Sequence, residues 1–89
     1  MSSILKVSAK FTEPEIYPDH HNIIGESVDF AASSLSSRVK SLSYTSGDGS
    51  LEVQFIRVKG DTYSPDDKDS LENKMNSYGS FSTLSVSLS

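Results

Sequence analysis

Apolar and polar residues alternate along four stretches of the chain. Leu5, Val7, Ala9 and Phe11 alternate with Lys6, Ser8 and Lys10, the period-two pattern of a half-buried strand. This strand is predicted over 4–11, closing at Thr12-Glu13-Pro14, where proline withholds a ladder donor. Leu42 and Tyr44, then Leu51, Val53 and Phe55, alternate on either side of Gly47-Asp48-Gly49. A hairpin is predicted there, with both glycines supplying the positive φ angles of a tight reversal. Leu84, Val86 and Leu88 alternate with Ser85, Ser87 and Ser89 and predict a last strand.

Two gaps carry a helical period instead. Val28, Ala31, Ala32 and Leu35 form an apolar stripe, predicting a helix over 27–37 with Ser27 as its N-cap. Ser64-Pro65-Asp66-Asp67 is a compact helix start, with a capping hydroxyl, proline in the first turn and an acid at the third position. Leu71, Met75 and Tyr78 then line one face, and Gly79 is expected to end that helix in the left-handed region. Residues 12–25, with Pro14, Pro18 and Gly25, read as a long irregular connection.

The order βαββαβ predicts an α+β, ferredoxin-like domain: a four-stranded antiparallel sheet with two helices on one face. Its expected strand order, 4-1-3-2, makes the second and fourth strands the edges. The uncovered face would present Lys6, Ser8, Lys10, Ser41, Ser43, Glu52, Gln54, Ser85 and Ser87. Such a plan hosts many unrelated activities, so function must come from particular residues.

At 89 residues the chain is read as one domain over 1–89. The absence of cysteine removes disulfides, thiolate-bound metals and thiol catalysis. No apolar run approaches the roughly 18 residues of a membrane span, and no leader pattern opens the chain, so a cytoplasmic location is expected. A net charge of −4 argues against binding nucleic acid through a basic field. The outward positions of the first and third strands, including Lys6, Ser8, Lys10, Gln54 and Ile56, offer no aromatic ring to stack on a base.

The densest chemistry lies at Tyr17, Asp19, His20, His21 and Asn22. Adjacent histidines in an extended segment point apart, so one metal ion would rarely take both. Two solvated loop histidines are the simpler reading, against an enzyme that uses either one. No arginine lies between the first strand and the first helix to cradle a phosphate, and no nucleophile elbow surrounds a serine. Neither catalysis nor a cofactor is expected. Asp61, Asp66, Asp67, Asp69 and Glu72 form an acid cluster, either a docking surface for a basic partner or the favourable charge at a helix start. The last strand has neither lysine nor proline, the usual guards of a sheet edge. Leu84, Val86 and Leu88 therefore mark a candidate for dimerisation or for strand addition by another protein.

From Ser37 onward the chain resembles the KTSC family, a short domain attached to some lysyl-tRNA synthetases and also found as small free-standing proteins. The resemblance spans roughly residues 37–81. It runs from Ser37-Arg38-Val39 through Leu51-Glu52-Val53-Gln54-Phe55 and Gly60-x-x-Tyr63 to Ser77-Tyr78-Gly79-Ser80-Phe81. It departs where Tyr63 runs into Ser64-Pro65 in place of a second aromatic and a Val-Pro pair. The resemblance implies a small module with an RNA-linked context. The residues themselves favour a non-catalytic, protein-binding accessory or inhibitory module, a profile common among small proteins including those of phages. An RNA-associated module and a subunit of a homo-oligomer are the alternatives.

Overall fold

A computed structural model of the protein describes residues 3–13, 17–58 and 62–89. The side chain of Tyr17, together with Pro14, Gly60 and Asp61, lies outside the described residues. The elements follow the order β1 (Ile4–Phe11), α1 (Tyr17–Ser34), β2 (Ser37–Thr45), β3 (Ser50–Arg57), α2 (Pro65–Tyr78) and β4 (Phe81–Leu88). The strands form one antiparallel sheet in the order β2-β3-β1-β4, so β2 and β4 are its edges.

The alternation seen in the sequence sets the two faces. Across the sheet, Val39, Phe55, Leu5 and Leu88 form one inward row, and Val53, Val7 and Val86 form the next, with Leu42 at its β2 end left exposed. Both helices close over this face, where Ile24, Ala31, Leu35, Leu71 and Met75 join one core with the strand residues. Phe55, Leu5, Leu51, Leu71 and Met75 are the largest side chains fully removed from water. Burying each contributes about 1.5–3 kcal/mol. The outward rows, Ser41-Gln54-Lys6-Ser87 and Ser43-Glu52-Ser8-Ser85, are uncovered and polar.

Helix α2 begins as its sequence dictates. The Ser64 side chain accepts from the Asp67 N–H while the Asp67 carboxylate accepts from the Ser64 N–H, with Pro65 at the first helical position. Its end differs from expectation, because Gly79 is extended, at φ −165°. The glycine sits close to α1: a Cβ there would stand 2.5 Å from Cδ1 of Ile23, so a larger residue would make the tip of that side chain move. The left-handed residue sits at the other helix end, where Ser36, at φ 48°, turns α1 into β2. In the hairpin, positive φ belongs to Gly49 and not to Gly47.

The largest correction concerns residues 17–26. They are not part of an irregular connection but the first half of α1. Pro18 sits in the first helical turn, where a missing N–H costs nothing. Ser27 is therefore no N-cap. It is buried in mid-helix and donates to the Ile23 carbonyl. The buried stripe of α1 is His20, Ile24, Ser27 and Ala31, continued by Leu35 just past its end, whereas Ala32 is exposed and Val28 half-buried.

Candidate functional site

The helix period separates the two histidines. Neighbouring helical residues project about 100° apart, and here one faces inward and the other outward. His20 is only 3% exposed. Its ring stacks on Phe11 with centroids 3.8 Å apart and planes 10° from parallel. Its Nδ1 shares a hydrogen bond with the Tyr44 hydroxyl. Phe81 packs on Phe11 at 4.8 Å, and the Tyr44 ring stands edge-on to Phe11 and to His20. The reading of two solvated loop histidines therefore fails for His20, which ties α1 to β1 and β2. His21 is exposed, its ring edge-on to Tyr44 at 5.5 Å. Asp19 is also exposed, and it lines a shallow open pocket beside His20 with Phe11, Ile23 and Ser80. Among the described residues no three His, Cys, Asp or Glu side chains are placed to hold a metal ion.

A second polar network fastens the opposite end of β2. The hydroxyls of Ser37 and Tyr63, both buried, lie 2.6 Å apart, and Ser37 Oγ also donates to the Leu35 carbonyl. The Arg57 guanidinium covers the Tyr63 ring at 5.0 Å and donates to Asp67 Oδ2 at 2.7 Å. Burial pushes the Tyr63 phenol above its ordinary pKa, and the Ser37 hydroxyl and Arg57 offset part of that rise. Partial burial works against a charged Asp67. The Ser64 N–H and Arg57 outweigh it and hold the carboxyl below its usual range. Asp67 thus belongs to the architecture of α2. Asp66 is exposed, Asp69 lies 3.6 Å from Lys68, and Glu72 is half-buried.

The last candidate is the β4 edge. Ile4 and Ser89 exchange both of their backbone hydrogen bonds. In an antiparallel ladder such pairs recur at every second residue. The pairs Lys6–Ser87, Ser8–Ser85 and Lys10–Thr83 therefore carry the bonds between β1 and β4. The N–H and C=O groups of Leu84, Val86 and Leu88 consequently point away from β1, along the open edge, while their side chains turn toward the core. None of the eight residues of β4 is charged. The other edge differs in charge: β2 carries Arg38 and Lys40. Both edge strands are irregular, β2 between Val39 and Ser41 and β4 at Ser82, which leaves 84–88 in regular register.

The sequence foreshadowed the edge but missed both networks. The signal for His20 was available, because the stripe of α1 runs back from Ala31 through Ser27 and Ile24 to His20 at helical spacing. No comparable signal exists for Ser37 with Tyr63, or for Arg57 with Asp67, which meet only in the folded chain. No helix among the described residues is long and apolar enough to cross a membrane. No family model, no curated protein and no solved structure matches the chain.

Proposed function

We propose that the protein is a small, non-catalytic protein-binding module of ferredoxin-like arrangement that works by strand addition at β4. The observation that carries this reading is an edge of eight residues without a charged side chain or proline, beside outward N–H and C=O groups at Leu84, Val86 and Leu88. Proteins ordinarily guard such an edge with lysine or proline, and the irregularity of β4 at Ser82 lies outside the regular 84–88 segment. An unguarded one is a template on which an extended segment gains a full set of main-chain hydrogen bonds. The titratable residues support the same reading. His20, Asp67 and Tyr63 are engaged in holding elements together.

The RNA-associated reading draws on the KTSC resemblance alone, and the uncovered face supplies no stacking ring to strengthen it.

Capture from lysate with the full chain, nuclease-treated, tests the proposal against an S85K/S87K variant. Both serines are exposed on β4, so the substitutions charge the edge without touching the core. A nuclease-resistant protein retained by the natural chain and lost by the variant is the expected result. Retention indifferent to the variant, or capture that vanishes with nuclease, overturns it.

A further inference from the structure

We infer that the β4 edge pairs with the β4 edge of a second copy, joining two four-stranded sheets into one of eight strands about a two-fold axis. This rests on the strand-addition reading and names the occupant. The first argument is register. Because Leu84, Val86 and Leu88 all present their backbone groups outward, the segment is its own antiparallel complement. With Val86 opposite Val86 of the second copy and Leu84 opposite Leu88, every outward donor from 84 to 88 meets an acceptor.

The same register matches the side chains. On the inner face it sets leucine against leucine and valine against valine, and on the outer face it sets Ser85 against Ser87. Phe81, Leu84 and Leu88 are only half-buried in a single chain, so apolar surface remains at this edge to be covered. Charge then selects the edge. β4 sets no charged residue against its own copy, whereas two β2 edges would bring Arg38 and Lys40 of both copies together.

Closure limits the assembly. Head-to-tail pairing of β4 with β2 would have to accept the bulge and the charges of Arg38 and Lys40, and it would continue into a filament. The two-fold arrangement uses both β4 edges and leaves only the guarded β2 edges outside.

Sedimentation of the purified full chain across a range of concentrations tests the inference. The natural chain is expected to move from monomer to dimer as concentration rises. The S85K/S87K variant is expected to dimerise at least tenfold more weakly, because the register sets lysine opposite lysine across the axis. Mixing S85K/S87K with S85E/S87E should restore a mixed dimer, which a misfolded variant could not do. S41K/S43K, at exposed positions on β2, should leave association unchanged. A natural chain that stays monomeric throughout overturns the second-copy inference. If that monomer still retains a nuclease-resistant protein in an S85K/S87K-sensitive way, the strand-addition reading stands without it. Dimerisation that survives S85K/S87K and is lost in S41K/S43K overturns the choice of edge.

Discussion

The two edges of the sheet are held in opposite ways. Side chains lock β2 at both ends. Tyr44 joins His20 of α1, and Ser37 joins Tyr63, which leads through Arg57 to Asp67 at the start of α2. Two basic residues also guard it. β4 is held by the backbone ladder to β1 and by apolar packing, with one side-chain bond, from Ser82 Oγ to the Lys10 carbonyl. Directional hydrogen bonds fix β2 in one position. Burial and ladder bonds hold β4 while leaving its outer backbone groups available. The difference teaches where the two side-chain networks among the described residues are spent: on fastening one edge of the sheet.

Breaking the β2 side should show first in stability. His20→Ala removes the stack on Phe11 and the bond to Tyr44, and it leaves a cavity beneath α1. An aromatic pair is worth ~0.5–1.5 kcal/mol beyond its burial, and a lost buried hydrogen bond costs ~1–3 kcal/mol. A loss of about 2–3 kcal/mol is expected in urea unfolding, against about 0.5 kcal/mol for His21→Ala at the exposed neighbouring position. Equal effects at the two positions would remove His20 from its place in the lock.

Asp67→Ala should cost about 1–2 kcal/mol at neutral pH, since it deletes half of the capping box and strands Arg57. The pH dependence has a definite sign. The folded-state pKa of Asp67 is depressed, so its contribution is complete above the ordinary carboxylate value, near ~3.9. It is lost as pH falls through the depressed one. Thermal melts of Asp67→Ala and the natural chain should therefore converge on acidification below about pH 4. A gap that persists at the lowest pH would mean that the side chain acts through packing.

Smaller effects sharpen the comparison. Ser36→Gly relieves the left-handed turn into β2 and should stabilise by about 0.5 kcal/mol, readable as a small rise in Tm. On β4, S85K/S87K should move stability by no more than about 0.5 kcal/mol, because both side chains are exposed. A large loss there would show that the β4 side depends on its serines after all.

The same contrast explains what was legible in the sequence. Strands with one buried face announce themselves by alternation, which finds all four, although β2 begins at Ser37, where the helix was expected to end, and β4 begins at Phe81. The start of α2 is a local code, written in Ser64, Pro65 and Asp67 and read without the rest of the fold. The start of α1 has no such code. Pro14, Pro18 and Gly25 made 12–25 look irregular, while His20, a polar residue, concealed the first position of the buried stripe. What holds His20 is Phe11 and Tyr44, from two different strands. Gly79 shows the same limit: its position after α2 suggested a left-handed cap, but it is extended and lies against Ile23 of α1. Contacts between distant segments leave no period to read.

Amide-resolved hydrogen exchange along β4 tests the open edge most directly. In dilute protein the Ser85 and Ser87 amides, bonded to β1, should exchange slowly. Those of Leu84, Val86 and Leu88 should exchange quickly, giving an alternation residue by residue. Raising the concentration, or adding the protein retained from lysate, should slow these three and leave Leu42 on β2 unchanged. Leu84, Val86 and Leu88 as protected as Ser85 and Ser87 in dilute protein, or fast under every condition, would contradict an edge built for strand addition.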